Sequence, residues 1–257
     1  MKWESPYQTF EFHSALQACG FTVVEITTTT GKLYLSNWNA EKLTGWELGI
    51  APQETVHTAA LMYVFEKFHL DIPVDVSENS YFTIVVDLTE NYRKHFTKNC
   101  HRNLKKALTY NLSLERISLN HPYLDDLIIH ILKRNKPPEM DFDRLKSLVF
   151  QCDQLNICDL FIVNDQFKNT IAGGIVLKSG SVANLRFTYY LPQNQNLRPM
   201  NFLISEVADF YNKTGHKYLD LSGFYAGEYN RTMININQFK REFGNKLAEF
   251  KVVRNIL

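Results

Sequence analysis

Residues 159–213 read DLFIVNDQFKNTIAGGIVLKSGSVANLRFTYYLPQNQNLRPMNFLISEVADFYNK. Three apolar stretches rich in β-branched and aromatic residues, 159–163, 171–178 and 181–190, are joined by short polar or glycine-containing turns. This pattern predicts an antiparallel meander. A helix should follow from Pro199 to Lys213, with the proline in its first turn and Gly215 as its stop.

The segments on either side of this stretch set the fold class. A strand at 218–222, a helix at 235–243 and a strand at 249–253 are predicted downstream, and helices at 125–133 and 142–152 are predicted upstream. The Pro137-Pro138 pair should separate the two upstream helices. The glycine-rich fingerprints of dinucleotide and nucleoside triphosphate sites are absent from the sequence. We therefore predict a mixed α/β sheet and exclude a doubly wound Rossmann sheet.

The first half of the chain shows the same mixture of elements. Strands are predicted at 21–26, 32–36 and 81–88, and helices at 54–69 and from Thr89-Glu90 to Tyr110. We divide the chain into two halves, 1–118 and 119–257.

Composition indicates an ordinary globular protein with a neutral surface overall. Of 257 residues, 45% are hydrophobic and 21% charged, and 28 Lys+Arg against 27 Asp+Glu leave a net charge of +1. Disorder and a global attraction to polyanions are excluded, so any basic site must be local.

The four cysteines lack metal-ligand spacing, which favours buried thiols in a reducing compartment and no metal site. No signal peptide or membrane span is expected, which indicates a cytoplasmic protein.

A basic stripe is predicted on the helix ending at Tyr110. Lys94, Lys98, Arg102 and Lys105 fall on one face at 100° per residue, opposite Phe96, Cys100, Leu104, Ala107 and Leu108. The stripe could bind a nucleotide diphosphate or an RNA backbone. It could equally be the solvated face of an amphipathic helix.

The strand–loop–helix segment at 181–202 offers a second candidate site. One face of the strand should carry Asn184, Arg186, Thr188 and Tyr190. Burying an arginine without a partner is energetically costly, so Arg186 should either be paired or face a cleft. The following loop ends at a helix N-terminus, which suits a phosphate group, although an ordinary polar loop looks the same. The candidate cofactor-binding residues are Gln195, Asn196, Arg198 and Asn201.

A third candidate is the segment Q-F-K-R-E-F-G at 238–244. Phe239 and Phe243 should pack inward together, and Gly244 suits a left-handed residue after a helix. Lys240 could be a solvent lysine or a cation placed where negative charge develops. In a wet cleft, its replacement by Met should leave stability nearly unchanged.

These motifs resemble those of one family. The element F-K-x-x-F-G at 239–244 is similar to the signature of the Fem-type peptidoglycan-bridge aminoacyltransferases, which have the GNAT N-acyltransferase fold. K-N-C-H-R-N-L-K-K-A at 98–107 resembles the family's basic helix. S-P-Y-Q-T-F at 5–10 and D-L-S-G at 220–223 resemble its opening and a strand end. The glycine of the GNAT pyrophosphate loop is missing from 193–198, and no coiled-coil arm is visible.

The resemblance implies a GNAT-like C-terminal domain and a reduced, related N-terminal half. It implies transfer of an acyl group from a carrier, acyl-CoA such as acetyl-CoA, to a small-molecule or peptide amine. Alternatives are a transferase that uses aminoacyl-tRNA and a non-catalytic GNAT module that binds a partner.

The resemblance also implies roles for individual residues. Lys240 would hold an oxyanion or a phosphate, and Asp220 would be the general base or a buried structural carboxylate. Arg186 and Tyr190 would orient the acceptor. The candidate substrate-binding residues are Lys98, Arg102, Lys105 and, on a covering loop, Tyr225, Tyr229 and Asn230.

Overall fold

The computed structural model describes residues 9–28, 31–39, 42–44, 76–89, 91–135, 140–224, 231–244 and 246–255. The strands are β1 (Thr22–Thr28), β2 (Gly31–Asn39), β3 (Lys42–Thr44), β4 (Val76–Asp87), β5 (Ser113–Ile117), β6 (Cys158–Asn164), β7 (Thr170–Ser179), β8 (Val182–Tyr190), β9 (Tyr218–Phe224) and β10 (Lys246–Asn255). The helices are α1 (Phe10–Ala18), α2 (Lys98–Leu108), α3 (Leu124–Asn135), α4 (Phe142–Gln154), α5 (Pro199–Lys213) and α6 (Arg231–Arg241).

The strands form a single mixed sheet, which confirms the predicted fold class. Their order is β1-β2-β3-β10-β4-β9-β8-β7-β6-β5. β6, β7 and β8 make the predicted antiparallel meander. β8 is followed by α5 and then by β9, which pairs with β8 in parallel. β9 in turn pairs with β4 in the antiparallel direction, and β4 pairs with β10.

Helices cover both faces of the sheet around β6, because this strand alternates two sets of apolar side chains. On β6, Phe161 and Val163 join the core under α2 and α5. Leu160 and Ile162 point the other way, into a second core shared with α1, α3 and α4. All seven residues of β6 are buried, as expected for a strand covered on both faces.

The basic helix is shorter than predicted. Tyr92–His95 form a 3₁₀ turn, and α2 begins only at Lys98. Thr97 sets this start because its side chain accepts a hydrogen bond from the Cys100 amide at 3.1 Å, as an N-cap threonine does. Lys94 therefore lies outside the helical stripe. Leu108 was predicted to be on the buried face but is 60% exposed.

The prediction that Arg186 and Tyr190 share a face of β8 is wrong. The register with β7 shifts between the Ile175–Phe187 pair and the Val176–Leu185 pair, so Arg186 is the extra residue of a bulge. A bulge reverses the alternation of side chains beyond it. Tyr190 accordingly packs against the α2–α5 core. Arg186 instead lies beside side chains of the other core.

The first half of the chain confirms the predicted strands, whereas several other predicted elements fall on residues that the structure does not describe. The strands near 21–26, 32–36 and 81–88 are confirmed as β1, β2 and β4. The helix at 54–69, the Pro137-Pro138 break and most of the 5–10 segment lie outside the described residues. The division into two halves stays a prediction. β4, from the first half, pairs with β9 and β10 from the second.

Candidate active site

The centre of the sheet contains a fork between two parallel strands. β8 and β9 pair only at Val182–Tyr218, Ala183–Leu219 and Asn184–Asp220. Beyond that point both strands continue but separate. The bulge at Arg186 bends β8, and Ser222 adopts a positive φ of 57° in β9. Backbone groups of β9 that face the fork therefore lose their strand partner and need another one.

Lys240, which α6 carries to the fork, supplies that partner. Its Nζ donates hydrogen bonds to the carbonyl oxygens of Ser222 at 2.5 Å and Gly223 at 2.6 Å. An ammonium has three N–H donors, so one N–H remains for a ligand. The pKa of Lys240 is lowered to about 8, mainly by burial; the attraction of Asp220 raises it, and repulsion from Arg186 and Arg134 lowers it.

Asp220 lies beneath the fork as a buried carboxylate, 2% exposed. It accepts hydrogen bonds from the Thr83 hydroxyl and, at 2.7 Å, from the backbone amide of Ser222. Burial raises the pKa of Asp220 above its ordinary value, and these donors act in the opposite direction. The Ser222 hydroxyl donates to Asn184 Oδ1 at 3.1 Å and so holds β9 to β8 at the point where the two strands separate.

The remainder of the F-K-x-x-F-G element anchors α6 to the fold. Phe243 is fully buried and packs edge-on against Phe239 and Phe96, with ring centroids 5.4 Å apart in both pairs. Gly244 does not have the left-handed conformation that was predicted, since its φ is not positive. A Cβ there would lie 2.6 Å from the carbonyl oxygen of Val85. The glycine is needed for this close approach of two backbones.

A cavity of about 470 Å³ opens between α2, the N-terminus of α5 and α6; Lys240 is not part of its lining, but the preceding residue, Phe239, is. Its polar lining includes Asn99, Asn103, Tyr190, Gln195, Arg198, Asn201, Thr232, Asn235 and Glu242. Three buried atoms of this lining have no hydrogen-bond partner: Arg198 Nε, Asn201 Nδ2 and Glu242 Oε2. Buried polar atoms without partners are costly, so this lining is suited to a polar ligand.

The structure brings some of the predicted residues together and separates others. Gln195, Arg198 and Asn201 line the cavity with Tyr190, whereas Asn196 is exposed on the preceding 3₁₀ segment and is not part of the lining. Lys98, Arg102 and Lys105 are exposed on α2, outside the cavity. Tyr225, Tyr229 and Asn230 lie outside the described residues.

The sequence analysis missed Asn99, Asn103 and Glu242 of the lining and an arginine near the fork. Asn99 and Asn103 are four residues apart on α2 and so face the cavity together. They could have been found as polar residues between the basic and apolar faces of that helix. Arg134, on α3, places its guanidinium over the ring of Tyr190, 4.6 Å from its centroid. Its sequence context gave no signal.

Within the described residues, no group of His, Cys, Asp or Glu side chains is arranged to hold a metal ion. Among the same residues, no helix is both long and apolar enough to cross a membrane.

Solved structures with the same architecture exist, although their sequences have diverged widely. FemX matches with a TM-score of 0.62 at 9% identity, over 95% of this chain and 91% of FemX. The C-terminal domain of a putative lysylphosphatidylglycerol synthetase from Agrobacterium fabrum matches with a TM-score of 0.59 at 10% identity, over 97% and 89% of the two chains. L-PGS from Bacillus licheniformis matches with a TM-score of 0.54 at 11% identity, over 96% and 92%.

These likenesses establish the fold. This chain has the GNAT-like fold of Fem-type proteins. The architecture implied by the F-K-x-x-F-G element is therefore confirmed. No protein-family model matches the chain, and no curated protein sequence matches it significantly.

Proposed function

We propose that this protein is an N-acyltransferase that moves an acyl group from acyl-CoA to a small-molecule or peptide amine. The observation that carries the proposal is the fork between β8 and β9, where the Lys240 ammonium keeps one N–H beyond its two carbonyl bonds. The cavity between α2, α5 and α6 provides room for an activated carrier. The fold is one that acyl and aminoacyl transferases use.

The carrier's phosphate groups would bind at the N-terminus of α5. The partial positive charge of a helix N-terminus favours an anion. Arg198 Nε and the side-chain amide of Asn201, which is 4% exposed, are buried there without partners. Both are hydrogen-bond donors that line the cavity. They can replace the backbone donors that a glycine loop would offer.

The reaction would proceed by attack of the amine nitrogen on the thioester carbonyl. The C–N bond forms, the carbonyl oxygen becomes an oxyanion, and the C–S bond then breaks as the thiolate leaves and the amine loses a proton. The remaining N–H of Lys240 would stabilise the oxyanion. The role of Asp220 as general base stays a prediction. Its burial and its bonds to Thr83 and Ser222 favour a positioning role.

Thermal denaturation with CoA and acetyl-CoA tests the donor. Ligand at about a hundredfold excess over its dissociation constant should stabilise the fold by about 2.7 kcal/mol. Arg198→Gln should reduce this stabilisation without changing the melting temperature of the free protein. A melting temperature that does not move at millimolar CoA would contradict the use of acyl-CoA.

An aminoacyl-tRNA donor is a second candidate, which the position of α2 favours. Three basic residues are exposed on this helix: Lys98, Arg102 and Lys105. Asn99 and Asn103 of the same helix line the cavity. A polyanion on the basic side would therefore reach the cavity mouth. Its affinity should fall steeply with salt concentration. Binding of either donor without turnover would instead indicate the non-catalytic binding module.

A further inference from the structure

Arg134 is an arginine whose planar face is covered and whose edge is available. The guanidinium lies over the ring of Tyr190 at 4.6 Å, which is a cation–π contact. Arg93 and Arg116, in contrast, form ion pairs with carboxylates. In the part of the chain that the structure describes, no acidic side chain pairs with Arg134. Stacking leaves the N–H groups at its edge to hold a carboxylate or phosphate in a bidentate manner.

Among the described residues, two arginines lie close enough to Lys240 to act on its charge. Arg134 and Arg186 both repel the Lys240 ammonium, and Asp220 attracts it. Within the described part of the chain, the carboxylate that attracts Lys240 is buried and already bonded to Thr83. Like charges held together raise the free energy of the site. An anionic ligand would lower it.

Arg186 lies on the α3 side of the sheet, whereas the guanidinium of Arg134 extends from α3 to Tyr190, which lines the donor cavity. Arg134 is carried by α3, whose apolar side chains belong to the α1–α3–α4 core. Arg186 lines a narrow apolar space with Phe12 and Leu145 of that same core. The donor cavity lies between α2, α5 and α6. The Arg134 guanidinium therefore lies where the α3 side of the sheet meets the donor cavity.

We propose that the α3 side of the fork is an acceptor subsite for an anionic group, a carboxylate or phosphate near the reacting amine, and that Arg134 determines this specificity. The role of the amine rests on the proposed acyl transfer, whereas binding of the anion does not. The edge of the Arg134 guanidinium would hold the anion, with Arg186 adding charge. Tyr190 holds the guanidinium in place by stacking.

Three probes of matched length test the subsite without any donor: ethanolamine, 3-aminopropanoate and 2-aminoethyl phosphate. Their dissociation constants are measured by NMR titration at fixed pH and ionic strength. We expect at least one anionic probe to bind about tenfold or more tightly than ethanolamine. Tighter binding of 3-aminopropanoate would indicate a carboxylate subsite, and tighter binding of 2-aminoethyl phosphate would indicate a phosphate subsite. Arg134→Gln should weaken the anionic probe about tenfold, because it removes a charge-assisted bond, and Arg134→Lys should weaken it less.

Two variants serve as controls. Arg144→Gln removes another exposed arginine, whose guanidinium lies 5.5 Å from the centroid of the Phe21 ring, and should leave probe binding unchanged. Arg198→Gln disables the donor cavity and should also leave it unchanged. Equal affinity for all three probes would overturn the proposal, as would a loss of anion binding in Arg198→Gln but not in Arg134→Gln. Failure of CoA to bind would contradict the acyl-CoA proposal and leave this result intact.

Discussion

The Lys240 Nζ lies 2.5 Å from the carbonyl oxygen of Ser222. A side chain of α6 thus takes the place of a strand partner at the point where β8 and β9 separate. This contact gives Lys240 two roles, because it completes the hydrogen bonding of β9 and also holds a cation where β8 and β9 separate. The first role changes what substitution of this lysine should do.

Replacing Lys240 with Met should lower both turnover and stability. Removal of one oxyanion donor costs about a hundredfold or more in rate. The carbonyls of Ser222 and Gly223 also lose their donor, which should cost about 1–3 kcal/mol in the free energy of unfolding. The sequence alone predicted that Lys240→Met would leave stability nearly unchanged, because it assumed that the lysine lies in a wet cleft. That prediction does not hold for a lysine that is bonded to two backbone carbonyls. Urea denaturation measures the change, and Lys133→Met, at an exposed site on α3, should stay within about 0.5 kcal/mol of the parent.

The pH dependence of stability should also report on Lys240. Its pKa in the folded protein is about 8, while that of an unfolded lysine is about 10.4. Between these values the unfolded chain binds more protons, so the contribution of Lys240 to stability should rise as pH increases from about 8 to 10. The difference in unfolding free energy between the parent and Lys240→Met should grow over that range. A constant difference would mean that the lysine is not desolvated.

Changing Lys98, Arg102 and Lys105 together to Ala should leave the fold intact, because all three side chains are exposed on α2. If this stripe binds a polyanion, tRNA affinity should fall and the slope of log K against log salt should become shallower by nearly one unit per lost phosphate contact. A second triple variant, Lys133, Lys213 and Lys217 to Ala, loses the same charge elsewhere. If the two triple variants have the same tRNA affinity and the same salt slope, the basic side of α2 is a solvated face and not a binding site.

Arg198→Gly should separate backbone strain from side-chain function. Arg198 has a φ of 60° at the start of α5, a conformation that glycine adopts without strain. Stability should therefore stay within about 1 kcal/mol of the parent, while stabilisation by CoA should decrease because the guanidinium is lost. Arg198→Ala loses the same side chain but keeps the strain and should melt at a lower temperature than Arg198→Gly. Full stabilisation by CoA in Arg198→Gly would remove this residue from the donor site.

Gly244→Ala should destabilise the protein through a steric clash. The new Cβ would lie 2.6 Å from the Val85 carbonyl oxygen and 2.9 Å from Ile84 Cγ2, and overpacking of this kind costs about 1–3 kcal/mol. Gly215→Ala provides the comparison, since its φ of 86° is strained for alanine but the space around it is open. We expect the smaller loss at Gly215. A melting temperature of Gly244→Ala equal to that of the parent would show that the two backbones can move apart.

The sequence by itself determined the elements of the second half and the class of the fold. The meander, α5 and β9 follow from local signals: two-residue alternation, short turns, a proline at a helix start and a glycine after its end. Such signals depend on neighbours along the chain. The F-K-x-x-F-G element likewise predicted the GNAT-like architecture that the solved structures confirm.

Only the tertiary structure decided how these elements meet. The bulge at Arg186 reverses the faces of β8 because the register with β7 shifts, and a one-residue shift leaves no mark on the alternation itself. The partners of Lys240 are 17 and 18 residues away, and Arg134 reaches Tyr190 from another helix. Charges and hydrogen bonds at the fork arise from contacts between distant segments, so residue spacing could identify the lysine but could not show what surrounds it.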